Sequence, residues 1–346
     1  MRPRLAVIIL FIVHSAIHSA CACTIPVFRF ALDRWEADKF HLVLPASSAQ
    51  DQALNDLLRP LRANGKANLD IQTSKDATLA QSELRFSIRD QATLWSGKLD
   101  QAALSAVLDS PARKAITDHI LAGDSVIWMV ADRGTPEDEA HVQRIEKRLK
   151  FLEQVAALPI QDPNDPDSQL GPGPPLKLKF TLLRVRADDP AEQMLIKMLA
   201  GPKGTVDPAK TSFSAAVFAR GRVLGAWPLD LLDDTALEDA CMFLVGRCSC
   251  RIKNENPGWD ILMNVDWPKA LEAARTAAPP TTEPVSPPKP PETVTTKTEA
   301  APAGTQNSIV VVNTWVPIRW SWVAAGGALV LGIVALVLLR GGSSRE

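Results

Sequence analysis

The sequence predicts an α/β fold. Three observations carry that expectation. Val126-Ile-Trp-Met-Val130 is an unbroken apolar run, the pattern of a strand buried on both faces. A strongly patterned helix follows it directly. Beyond a loop rich in Pro, Gly and Asp at 161–175, the chain reads strand, helix, strand, strand, helix. Helices that cross between buried strands are what layered α/β architecture requires.

The bulk composition narrows the partners. At 346 residues the chain can hold two domains, or one large domain with accessories. Thirty-eight basic residues against 39 acidic give a net charge of −1, so no basic field recruits nucleic acid. The histidines show no H-x-x-H or H-E-x-x-H spacing, and no His-based metal site is expected. There is no G-x-S-x-G, no P-loop and no G-x-G-x-x-G, so neither a catalytic residue nor a cofactor is assigned.

Residues 1–22 have the layout of a secretory signal: Arg2 and Arg4, then the apolar run Leu5–Val13, then the small-x-small set Ala20-Cys21-Ala22. Cleavage after Ala22 leaves Cys23 at the new N-terminus and four cysteines in all, an even number for an oxidising compartment. A lipobox ending at Cys21 or Cys23 is the rival reading.

Residues 23–160 form the expected first half of an ectodomain. Pro26–Trp35 predicts a short helix with Phe28, Leu32 and Trp35 on one side. Strands are expected at 40–44 and 69–73, with a helix at 50–61 ended by Asn64-Gly65. Leu84, Phe86 and Ile88 alternate with polar residues, as in a half-buried strand. Residues 99–121 are helical in composition, interrupted at Ser110-Pro111. The helix over 136–157 opens on Thr135 as cap, Pro136 at the first position and Glu137–Glu139 in the first turn, and Val142, Ile145, Leu149, Leu152 and Ala156 form its apolar stripe. The 161–175 segment is expected to be a solvated connection, since its aspartates lack the spacing and glycine of a calcium loop.

Residues 176–275 form the second half: a strand at 176–182, a helix opened by Asp189-Pro190-x-Glu192, strands at 215–218 and 223–227 around the turn Arg220-Gly221-Arg222, and a helix over 233–244. That order resembles the C-terminal half of a thioredoxin-like domain, and Cys23 leading into a helix and then a strand resembles the thioredoxin active-site segment. The resemblance implies a thioredoxin-like mixed sheet flanked by helices. More specifically, Cys23–Leu32, Phe243–Cys250 and Asn256–Met263 are similar to an uncharacterised family of bacterial membrane-anchored envelope proteins, a likeness that brings no activity with it.

Residues 276–317 are rich in Pro, Thr and Ala and predict a disordered stalk. Residues 318–340 contain the uncharged span Val323–Leu339, with Trp320 and Trp322 at one border and Arg340 at the other, and predict one transmembrane helix with a cytoplasmic tail at 341–346. The expected protein is therefore a single-pass type I membrane protein with a periplasmic or extracellular ectodomain. Its expected role is non-enzymatic binding or accessory assembly in the bacterial envelope, with the membrane and an envelope protein as partners. Cys23, Cys248 and Cys250 leave three readings open: a disulfide tying the two ends of the ectodomain, a thiol–disulfide centre, or a thiolate site for a soft metal. Cys241, within a helix, is expected to pack as a small apolar residue.

Overall fold

Strand β5 (Val126–Asp132) is buried at all seven positions, as its unbroken apolar sequence demands. It pairs in parallel with β6 (Phe180–Arg186), Val126 opposite Phe180, and antiparallel with β7 (Phe213–Phe218). Strand β8 (Arg222–Pro228) continues the sheet beside β7, and the two-residue β9 (Trp259–Asp260) closes it, in the order β6-β5-β7-β8-β9. The computed structural model describes residues 24–87, 92–161, 164–202, 206–248 and 252–277. The signal segment, Cys23, Ile88, Cys250, the stalk, the apolar span and the tail lie outside the described residues. Among the described residues no helix is long and apolar enough to cross a membrane.

A second, four-stranded sheet precedes this one. It consists of β1 (Phe40–Leu44), β2 (Leu69–Thr73), β3 (Ser82–Arg85) and β4 (Thr93–Gly97) in the order β2-β1-β3-β4. Strand β1 is parallel to β2 and antiparallel to β3, and β3 is antiparallel to β4. The same order and the same directions recur in β6-β5-β7-β8. Each sheet also has a helix joining its parallel pair: α2 (Gln52–Asn64) in the first and α5 (Pro136–Val155) in the second. The fold is thus mixed α/β with two mixed sheets flanked by helices. The 161–175 connection does not separate them: it joins β5 and α5 to β6 of the same sheet, and the passage between sheets falls at helices α3 (Gln101–Leu108) and α4 (Pro111–Leu121).

The helices follow their sequence signals. Thr135 caps α5 by accepting from the Asp138 amide, and Asp138 completes the capping box. Val142, Ile145, Leu149 and Leu152 are buried, as the stripe predicts. Helix α7 (Asp234–Val245) lies beside it, with Arg144–Asp234 and Arg148–Glu238 ion pairs between them. Leu54 and Leu58 of α2 pack with Leu42, Leu44, Leu99 and Leu104 in a satellite cluster of the first sheet. Each such buried leucine stabilises by about 2 kcal/mol relative to exposure.

Some boundaries move. Strand β6 begins at Phe180 rather than at 176, because the turn before β5 brings Ser125 N–H to the Lys179 carbonyl and the ladder starts only there. Helix α6 (Gln193–Ala200) begins after Glu192, whose side chain instead accepts the Ala112 amide at the start of α4. Strands β4 and β9 and helix α8 (Trp267–Ala277) are additions to the sequence reading. Nor is the 161–175 connection simply solvated. Helix α1 (Val27–Arg34) carries the buried Arg29, which donates to the carbonyls of Gly171 and Pro174 and pairs with Asp33 at 2.8 Å. A Pro- and Gly-rich segment has bare carbonyls to offer, and a buried guanidinium needs acceptors.

The last described part of the chain ties the sheets together. The Asp260 carboxylate accepts from Arg222 on β8, from Lys253 and from the Asp38 amide before β1. Three residues on, Met263 and Asn68 exchange hydrogen bonds at the entry to β2. Gly221 (φ +92°) makes this approach possible: a Cβ there would stand 2.7 Å from Met263 Cγ.

Arg222 and Asp260 are only 4% and 3% exposed at their side chains, so removing one strands the other charge. Asp260→Ala should lower unfolding free energy by about 3–5 kcal/mol. The double replacement Arg222→Met with Asp260→Leu should cost less than Asp260→Ala alone. Urea denaturation of the three variants checks both statements.

Candidate functional site

Because β5 and β6 are parallel, their carboxyl ends open on one side of the sheet. That crevice is where open α/β sheets bind ligands. Here it is a cleft of about 380 Å³. Arg133 enters it from the turn after β5, and Arg186, Ala187 and Asp188 from the end of β6. Gln193, Ile196 and Lys197 of α6 form one wall, and Pro208 and Ala209, in the loop before β7, form another.

The local backbone explains these positions. Asp138 accepts from the Arg133 amide (3.0 Å) and from Ser212 Oγ (2.9 Å), fixing the turn between β5 and α5 to the strand behind it. Gly134 adopts φ +72°, a conformation costly for other residues, and the Arg186 guanidinium lies against it. Arg133 donates to the Ala209 carbonyl, which holds the loop before β7 over the cleft. Arg186 pairs with Asp188 at 3.2 Å. Beneath them Asp132, 1% exposed, accepts from Arg184 Nε at 3.1 Å through one oxygen. Its other oxygen accepts no hydrogen bond and lies 3.9 Å from Arg186 Nη1.

A wider opening of about 490 Å³ lies between the end of α2 and the start of α8. Its charges nearly cancel, with Lys39, Lys66 and Arg220 facing Glu36 and Asp266. At the amino ends of β5 and β6 a third group of polar residues centres on Asp124. Its carboxylate accepts from Lys177 Nζ at 2.8 Å, Thr181 Oγ1 at 2.5 Å and His119 Nδ1 at 2.8 Å. Burial alone would raise this carboxyl; the three hydrogen bonds outweigh it and hold it below the usual carboxylate range.

The cysteines fall into two kinds. Cys241 is wholly buried in α7, where burial pushes its thiol up to about 12, far from a reactive thiolate. It packs as the small apolar residue its helix position suggests. Cys23 and Cys250 lie outside the described residues, but the backbone next to them is described. Pro26 sits opposite Arg247, Val27 N–H donates to the Gly246 carbonyl, and Cys248 N–H donates to the Ile25 carbonyl, each at 3.0 Å. Cys248 is 2% exposed, across from the equally buried Ile25. The start of the described chain therefore runs beside the segment that follows α7. Cys23 does not open the helix–strand step of the larger sheet, because α1 leads into β1 of the smaller one.

Of the sequence-derived candidates, only Cys248 is thus placed among described residues, and it lies away from the lining of the cleft. Arg133, Arg186 and Lys197 were not singled out from the sequence. The available signal was the polar turn Asp132-Arg-Gly-Thr135 directly between an apolar strand and a capped helix.

Asp124 makes a pH prediction. Its folded-state pKa is depressed, so its contribution is present above the unfolded carboxylate value, about 3.9, and fades as pH falls through the folded value. Asp124→Asn should cost about 2 kcal/mol at neutral pH, the scale of hydrogen bonds to a charged group. The gap between wild type and variant should close in strong acid. Denaturation at a series of pH values checks this; a gap independent of pH would contradict it.

Compared with known proteins, the chain matches no family model, no curated protein and no solved structure.

Proposed function

We propose that this chain is an extracytoplasmic ligand-binding protein held at a bacterial membrane, non-enzymatic, with its ligand site in the cleft at the carboxyl ends of β5 and β6. The observation that carries the reading is the cleft itself: concave, at the open end of the parallel pair, walled by a helix and a loop and lined by charged and apolar side chains together. The thioredoxin-like reading is supported by the β-α-β-α-β-β-α series of residues 126–245, with strand order β6-β5-β7-β8. In this register the turn that would carry a redox motif is Arg133-Gly-Thr135, which has no cysteine. The signal-like residues 1–22 and the apolar span 323–339 support export and anchoring.

The test is native mass spectrometry of the full chain taken from its own membranes in mild detergent, with protease added to intact spheroplasts as a second arm. A small molecule should travel with the wild type, unchanged in mass on incubation, and be lost in Ala209→Trp, which fills the mouth of the cleft. Protease should remove everything before residue 318. Turnover of the molecule, its retention in Ala209→Trp, or protection of residues 30–270 would overturn the reading.

For the cysteines, we propose a disulfide tying Cys23, before α1, to the Cys248–Cys250 pair that follows α7. Pro26 and Arg247 form a non-hydrogen-bonded antiparallel pair. Cys23 precedes Pro26 by three residues in the sequence and Cys250 follows Arg247 by three. Peptide mapping without reduction should recover residues 23–29 linked to the peptide containing Cys248 and Cys250. The alternative, a thiol–disulfide or metal-handling centre using Cys23, Cys248 and Cys250, requires the bond to open under mild reductant, or the thiols to hold zinc or copper.

A further inference from the structure

The lining of the cleft has a sign. Arg133, Arg186 and Lys197 supply three positive charges, and Asp188 supplies the one negative charge, leaving an excess of two. We infer that the cleft binds a phosphomonoester, its phosphate held by Arg133, Arg186 and Lys197 and its organic part resting on Ile196 and Ala209. This inference rests on the ligand-binding reading above.

Three features favour it. The excess charge matches a phosphate monoester, which carries about −1.5 to −2 at neutral pH. Arginine forks accommodate the oxygens of a tetrahedral oxyanion two at a time, and the lysine adds a mobile point charge. Arg133 spends one donor on Ala209, and Arg186 directs Nε and one terminal nitrogen to Asp188; each guanidinium keeps further N–H groups. Lys197, on the exposed side of α6, has no ion-pair partner among the described residues. The buried Asp132 below makes its close pair, at 3.1 Å, with Arg184, which is outside the lining and also bonds Glu139; its contact with the lining, to Arg186, is longer at 3.9 Å.

The arrangement is also built rather than incidental. The Arg186 guanidinium can lie over the turn because Gly134 has no side chain, and Arg133 is fixed at its amide by Asp138 and at its guanidinium by the Ala209 carbonyl. Two charges that repel one another are thereby held facing one crevice. A bound dianion relieves that repulsion; a neutral ligand does not.

The experiment titrates the full chain in detergent with phenyl phosphate, inorganic phosphate and benzoate at fixed ionic strength, following heat of binding and thermal stability. Phenyl phosphate should bind best, inorganic phosphate more weakly for want of the apolar contact, and benzoate weakest. Arg133→Gln and Lys197→Gln should each weaken phenyl phosphate about tenfold or more, the effect of losing one charged contact, and Lys197→Gln, at an exposed position, should leave the unliganded melting temperature unchanged. Affinity should fall as pH drops below the second phosphate ionisation, near 6. Lack of phenyl phosphate binding at millimolar concentration, equal binding of benzoate, or binding indifferent to both substitutions would overturn the inference. If Ala209→Trp still releases a native ligand while phenyl phosphate fails to bind, the phosphate assignment falls and the cleft remains the ligand site.

Discussion

Asp260 is the point at which the two sheets become one structure. Its carboxylate takes Arg222 from the larger sheet, Lys253 from the turn before β9 and the Asp38 amide from the approach to β1. A carboxylate this deeply buried persists only where several donors converge on it. The neighbouring chain is fixed by the same requirement. Once Trp259 and Asp260 pair with β8, Met263 must pass Asn68, and the entry to β2 is set. The Arg222 guanidinium also lies over Trp35, 5.6 Å from the ring centroid, which draws the end of α1 into the same knot.

Buried arginines repeat this logic elsewhere. Arg113 donates to Ala106 and Val107 at the last turn of α3 and reaches Leu262. Burial lowers its pKa to about 10, which leaves it charged at neutral pH. Arg29 binds the carbonyls of the 161–175 connection. In each case carbonyls left without a ladder or helix partner, at a helix end or in an irregular segment, are given one by a single side chain.

The sequence made the second sheet legible because its signals were local. The unbroken run at 126–130, the Thr135-Pro136 helix start and the Arg220-Gly221-Arg222 turn all specify structure within a few residues. The first sheet was legible in β1, β2 and β3 but not in β4 or in its membership. Nothing local tells β1 whether to join β5 or make a sheet of its own. Strand β9 was hidden for a related reason: two residues carry no period, and their pairing depends on Gly221 far away in sequence. The cleft was illegible on the same grounds. Arg133, Arg186 and Lys197 are separated by 53 and 11 residues, and only the parallel pairing of β5 with β6 brings the first two together. The backbone pairing of Ile25–Val27 with Gly246–Cys248 joins segments more than two hundred residues apart, and no local pattern specifies it.

The repeated strand order shows why the cleft belongs to one sheet. In the first, β1 runs out at Leu44 into Pro45 and a short 3-10 turn, and Ser74, after β2, donates to the Leu44 carbonyl. Residues 74–81 then lead directly to β3, with no helix between. No α-helix follows β2 at the open end of that parallel pair. In the second sheet, α6 stands in the equivalent interval and supplies Gln193, Ile196 and Lys197, while the loop after it supplies Pro208 and Ala209. Gly134, between strand and helix, admits Arg186 where the first sheet has Pro45 directly after β1. The two sheets share a topology, and the side chains that line the cleft gather where one added helix follows the second strand of the parallel pair.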